Sequence, residues 1–280
     1  MSKLLADTLR IGQIKFTNAL PICHFIDRNS ATHRFFPGAP AELNRWLARG
    51  EIDAGLVSSF AYAQLADDFV ALRGLSVSSR GPVGSIFLFS KRPIEELSGC
   101  RVSLTSHSAS SVSLLRILLG EIGVTDVSYV TEEPDLQTML QRSEAALLIA
   151  DHALEGSVRD HGLLTYDLGE EWYTRTGHSM TFAVCAVPKR MVEENPEKAR
   201  AIQALFLEGK RKGYADMESV IGAAMERMGQ TRAFWRDYFG KLIHDLDEEL
   251  AVGANAYFDA AYRHGLLAKP VKLELWGDES

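Results

Sequence analysis

Cysteine is scarce in this chain: Cys23, Cys100 and Cys185 stand far apart, with no Cys-x-x-Cys pair. That argues against a disulfide framework or a zinc site and suits a reducing compartment, so no bound metal is expected. Long apolar runs are also missing. No stretch approaches the roughly 18 to 20 uninterrupted apolar residues of a membrane span. The first twenty residues mix charge with hydrophobicity instead of forming a signal-peptide core. The expectation is a cytoplasmic protein without a membrane partner. There is no long Lys/Arg stretch, and a net charge of −7 offers no electrostatic footprint for nucleic acid. Gly81 and Gly84 lack the G-x-G-x-x-G spacing of a dinucleotide cofactor site. Internal repeats and low-complexity linkers are absent.

What is present is an ordinary soluble composition: 280 residues, 46% hydrophobic and 24% charged. That is enough chain for two lobes, each with its own core, or for one large α/β domain. Ile11 to Thr17 reads as a first strand, and Ala19 to Asp27 as a helix with Pro21 in its first turn. Asn18 sits at their junction. Thr32 to Pro37 suggests a second strand, Pro40 to Gly50 a helix bounded by proline and glycine, and Ile52 to Val57 a third strand ending at Ser58-Ser59. Strands at Val70 to Ser79 and Ile86 to Ser90 flank the tight Arg80-Gly-Pro-Val-Gly-Ser85. The strand–helix rhythm then repeats to Ala150, which implies parallel sheet with covering helices. Leu168 to Gly177 reads as irregular, Thr181 to Val187 as a strong strand, and Pro196 to about Leu267 as helical. The aromatic residues of that tail, such as Phe206, Trp235 and Tyr257, read as packing.

Between Ser103 and Ser113 seven of eleven side chains carry hydroxyls. The run joins a strand ending at Ser106 to a helix from Val112 to Gly123. A helix N-terminus leaves about four N–H groups without partners and carries partial positive charge, so Thr105 to Ser111 can seat a carboxylate or phosphate. One serine acting as a helix cap is the simpler reading. A negatively charged protein that binds an anion must rely on such local donors. Other strands also end in small polar residues: Thr17-Asn18, Ser58-Ser59 and Asp151. In open α/β sheets ligands gather beyond the carboxyl ends of strands, so these ends can face one cleft. His107 lies inside the serine run, as an anion contact, a base or a bystander. Arg80 offers a bidentate fork for a carboxylate or braces its own turn. Asp245 to Glu249 reads as a solvated helix face.

Several segments resemble one family. Asn18-Ala-Leu-Pro21, Gly50 to Ser59, Ser79-Arg-Gly-Pro-Val-Gly-Ser85 with Leu88 to Lys91, Leu104 to Ser106 with Ser108 to Ser111, Ala145 to Asp151, and Asp167 to Trp172 with Thr176-Gly177 are similar to the chorismate dehydratases of menaquinone biosynthesis by the futalosine route. The similarity runs from about Arg10 to Val187. It implies an α/β, two-lobed, periplasmic-binding-protein-like type II fold with two crossing strands and a helical C-terminal region. The crossings fall at Ile86 to Ser90 and Thr181 to Val187. Lobe I then holds residues 1–88 with 187–280, and lobe II holds 89–186.

The implied reaction removes water from chorismate to give 3-[(1-carboxyvinyl)oxy]benzoate. It needs no redox cofactor, because losing the ring proton and the neighbouring hydroxyl makes the ring aromatic. The protein must hold a dicarboxylate, steady the leaving hydroxyl and place a base near the ring proton. Asn18 is expected to orient the substrate, unless it caps its helix. Ser58, Ser59, Arg80, Ser85, Thr105, Ser106, Ser108, Ala109 and Ser110 are the expected binding residues. The base is Asp151, unless Asp151 is itself a cap, or a carboxylate of the substrate. Two other readings stand beside this one. In the sister 1,4-dihydroxy-6-naphthoate synthase a histidine follows the strand equivalent to Ala146 to Ile149, where this chain has Ala150-Asp151 and then His152. The third reading is a non-catalytic carboxylate-binding protein.

Overall fold

The computed structural model describes residues 8–28, 30–159 and 161–278. In chain order the elements are β1 (Leu9–Ile14), α1 (Leu20–Cys23), β2 (His33–Gly38), α2 (Pro40–Ala48), β3 (Ala54–Ser58), α3 (Ser59–Gln64), β4 (Phe69–Ser79), β5 (Ile86–Ser90), β6 (Arg101–Thr105), α4 (Ala109–Glu121), β7 (Ser128–Glu132), α5 (Leu136–Arg142), β8 (Ala145–Ile149), α6 (Ala150–Ser157), β9 (Leu164–Asp167) and α7 (Leu168–Thr176). Then come β10 (Met180–Pro188), α8 (Lys189–Glu194), α9 (Pro196–Ala215), α10 (Met217–Met228), α11 (Arg232–Lys241), α12 (Glu248–Arg263) and β11 (Leu275–Trp276). No helix among the described residues is long and apolar enough to cross a membrane.

The strands form two sheets. One has the order β11-β4-β10-β3-β1-β2 and the other β7-β6-β8-β5-β9. Both are mixed. The β1, β2 and β3 strands are parallel, as are β6, β7 and β8, while β10 and β5 run antiparallel to their neighbours. The expected crossings move accordingly. All of β5 pairs within the second sheet and all of β10 within the first, so the chain changes sheet in residues 80–85 and again through α7 and 177–179. Boundaries at 88/89 and 186/187 would cut through two buried strands. Those strands read as crossings because each is an unbroken apolar run, which burial on both faces inside a sheet also produces.

The two passages between the sheets are stitched to each other by one side chain. Asp167 caps α7, accepting from the Gly169 and Glu170 N–H groups at 2.9 and 3.2 Å, and also accepts from Val83 and Gly84 at 3.1 and 2.7 Å. Gly169 is required by the close approach, because a Cβ there would lie 2.7 Å from the Gly81 carbonyl oxygen. With the cap at one end and left-handed Gly177 at the other, α7 is a regular helix where the sequence suggested irregular chain.

One large core runs through both sheets, and a smaller cluster around Phe89, Met139, Ala146 and Leu148 fills the outer face of the second. The tail is helical as expected, and its aromatic side chains pack. Trp235, Phe206 and Tyr257 are all essentially buried. The α9 helix lies against α1, where Gly209 and Gly213 leave no room for a Cβ beside the carbonyl oxygens of Ile22 and Pro21.

Candidate functional site

The ends of β1, β3 and β8 and the start of α4 meet around a cavity of about 50 Å3. The six-stranded sheet side contributes Ile14, Phe16, Asn18, Ser58, Val77, Phe182 and Ala183. From the other side come Ile86, Ser108, Ser111, Ile149 and Ala150, and Pro40 completes the lining. Apolar strand ends make the walls. The polar residues lining it are Asn18, Ser58, Ser108 and Ser111, and no acidic, histidine, lysine or arginine residue lines it among the described residues.

Asn18 lies in the 3-10 turn Thr17–Ala19 that follows β1, and it caps nothing. Its side-chain oxygen is buried without a hydrogen-bond partner. An unpaired buried acceptor costs about 1–3 kcal/mol, and no protein donor offsets that cost at Asn18. Ser108 caps α4: its hydroxyl accepts from the Ser111 N–H at 3.1 Å and donates to the Ser111 hydroxyl at 2.9 Å. Ser111, the last residue of the Thr105 to Ser111 run singled out from the sequence, lines the cavity as well.

The other expected binding residues divide sharply. Ser110 is a buried hub. Its hydroxyl donates to the Phe182 carbonyl at 2.9 Å, accepts from the Phe60 N–H at 3.1 Å, and lies 2.8 and 3.0 Å from the hydroxyls of Ser58 and Ser59. Ser59 donates to the Thr181 carbonyl. Ser59 and Ser110 thus spend their hydrogens bolting α4 to the first sheet, and of the trio only Ser58 lines the cavity. Ser85 accepts from the Tyr238 hydroxyl at 3.0 Å, and Thr105 accepts from the His107 N–H. Ser106 reaches outward to Glu133, and Ala109 only opens α4. Arg80 is not at the cavity: its guanidinium pairs with Glu249 on α12 at the surface. A charged partner 169 positions away took the fork that the sequence offered to a ligand.

Asp151 also differs from expectation. It is neither a helix cap nor a cavity-lining group. One carboxylate oxygen accepts from the Thr17 N–H at 2.9 Å and the other lies 3.1 Å from the Arg227 guanidinium on α10. Burial pushes its proton affinity up, and the Thr17 N–H and Arg227 pull against that shift. Both contacts run from α6, in the second sheet's half, to residues of the first sheet's half. Ala150, just before it, is held at φ 49° with its N–H on the Ser85 carbonyl at 2.7 Å. A non-glycine residue there costs roughly 1–2 kcal/mol. His107 packs near Phe16 and His152, with ring centroids 6.2 and 5.8 Å away. Its Nδ1 is buried without a partner and its Nε2 lies 3.4 Å from Glu133. Neither histidine lines the cavity.

The chain is 32% identical over 265 residues to the chorismate dehydratase of Thermus thermophilus, covering 89% of this chain and 94% of that one. It is 30% identical over 136 residues to the 1,4-dihydroxy-6-naphtoate synthase of the same organism, covering 48% of each. The periplasmic aliphatic sulphonate binding protein SsuA of Escherichia coli superposes with a TM-score of 0.67 at 19% identity, covering 98% of this chain and 95% of that one. The fold is therefore that of the periplasmic binding proteins. A family model described as menaquinone biosynthesis matches residues 9–263, and the chain belongs to that family.

Proposed function

We propose that this protein is a chorismate dehydratase, releasing 3-[(1-carboxyvinyl)oxy]benzoate and water. The observation that carries the reading is the unpaired Asn18 side-chain oxygen in a largely apolar cavity. A ring hydroxyl of the substrate supplies the missing donor, while Ile14, Val77, Ile86 and Phe182 enclose the ring. Ser58 and Ser108 give their hydroxyl hydrogens to Ser110 and Ser111, so of the three lining serines it is the Ser111 hydroxyl that meets the carboxylate charge. The ring C–H electrons form the new double bond, the C–O bond breaks, and the departing hydroxide is protonated to water. The ring proton needs a base, and no ionisable side chain lines the cavity among the described residues. A carboxylate of the substrate therefore fills that role better than Asp151, whose two oxygens are already engaged.

A cavity of about 50 Å3 is far below the about 300–1,000 Å3 of ordinary ligand sites. Residues 8–79 with 180–278 and residues 86–167 are accordingly read as two lobes that part to admit substrate and close over it, excluding water. The sister naphthoate synthase reading is weaker. Its relative matches about half of the chain, and where that family carries a histidine this chain has Ala150-Asp151. The test is turnover of chorismate by wild type and by Asn18→Ala. A loss of about a hundredfold or more in kcat with the fold intact supports the assignment. An equally fast variant removes Asn18 from the chemistry.

A further inference from the structure

The Asn18 amide oxygen touches no protein donor, so nothing at that atom fixes its aim. Its direction comes from the turn that carries it, and two residues from remote parts of the chain grip that turn. Asp151 takes the Thr17 N–H. On the other side His244 Nε2 lies 2.8 Å from the Asn18 carbonyl oxygen, and His244 Nδ1 lies 2.9 Å from the Tyr214 hydroxyl. A carbonyl only accepts, so Nε2 carries the hydrogen. In a neutral ring Nδ1 is then the acceptor, and Tyr214 donates to it. Full burial pushes the imidazole down to about 4, with Lys210 adding to the fall and the Asn18 carbonyl opposing it, so the ring is neutral near pH 7. The backbone of this histidine is equally fixed: Ile243 exchanges two 2.8 Å hydrogen bonds with Ser78 of β4, next to cavity-lining Val77.

We infer that His244 is a positioning residue for Asn18, holding the Asn18 peptide through Nε2–H while Tyr214 holds the ring in that tautomer. The inference rests on Asn18 acting in the dehydration proposed above. A merely space-filling side chain would be apolar at this depth, since a buried imidazole is costly unless both nitrogens are satisfied.

The experiment compares His244→Leu, which keeps bulk and loses the donor, with His244→Gln, whose amide can replace Nε2–H. Steady-state kinetics with chorismate, thermal melting, and the 15N–1H side-chain amide signal of Asn18 are the readouts. The expected result for H244L is a fall of about ten- to a hundredfold in kcat, with KM changed less than about threefold. Its Asn18 amide signal is displaced, and H244Q recovers both rate and signal. An Asn18 signal unmoved in H244L overturns the inference, and so does an H244Q variant that folds yet fails as badly as H244L. A wild type inactive on chorismate, combined with a displaced Asn18 signal in H244L, overturns the dehydratase reading and upholds the clamp. Should H244L not fold, Tyr214→Phe carries the same readout: a displaced signal supports the clamp and an unmoved one overturns it.

Discussion

Replacing Asp151 with asparagine separates two roles that look alike in the sequence. If the carboxylate joins the lobes, the substituted side chain keeps the shape and retains an amide oxygen for the Thr17 N–H, losing mainly the attraction to Arg227 at 3.1 Å. Two unit charges at about 4 Å attract by about 4 kcal/mol at the effective dielectric of a protein surface. Arg227 is 40% exposed, so water screens much of that, and desolvation of Asp151 offsets more. A net loss of about 1–2 kcal/mol remains. If, as proposed, the contact exists only with the lobes closed, the loss falls on closure and raises KM by about tenfold, with kcat nearly unchanged. Arg227→Met should reproduce this, and the double variant should be no worse than either alone. If Asp151 were the base, kcat itself would fall by about 100- to 10,000-fold. That outcome, with KM unaltered, refutes the latch.

Two further predictions concern stability. Gly213→Ala should lower stability by about 2 kcal/mol, or a melting temperature drop of about 4–8 °C, because its Cβ meets the Pro21 carbonyl and backbone cannot step aside. Asp53→Asn should destabilise by about 2 kcal/mol at pH 7. Burial opposes the Asp53 charge, but hydrogen bonds from Arg10 and the nearby Lys198 hold its carboxyl below the usual range. A lowered value in the folded state means stability gained above the unfolded value of about 3.9 and lost as pH falls through the folded one. Denaturant titrations at pH 7 and near pH 3 should show the gap between variant and wild type closing at the lower pH.

Much of the fold was legible because the strand–helix alternation and its proline and glycine boundaries are local signals. The places that misled are tertiary. Strands β5 and β10 look like bridges between lobes because hydrophobic runs do not say which sheet buries them, whereas the real passages carry Gly81, Gly84 and the Asp167 carboxylate. Of the serine run, Ser108 and Ser111 line the cavity. Yet chain order cannot tell Ser110, turned into the protein on Phe182, from Ser111 beside it, turned to the cavity. Arg80 was read as a fork for a carboxylate or a brace for its own turn and Asp151 as a base or a cap, and each has its partner far along the chain, in Glu249 and Arg227. The apolar walls at Ile14, Val77 and Ile149 read as core, since a wall for a ring has the same composition. His244 stands alone in its segment and reaches Asn18 across 226 positions, which no local pattern could signal.

The most direct measurement is incubation of the purified protein with chorismate, without added metal or cofactor, followed by mass spectrometry. The expected result is an aromatic product lighter by one water, formed by wild type and essentially absent with Asn18→Ala. Chorismate that binds and returns unchanged would contradict the dehydratase assignment in favour of a binding protein. Chorismate that neither binds nor reacts would contradict the substrate itself.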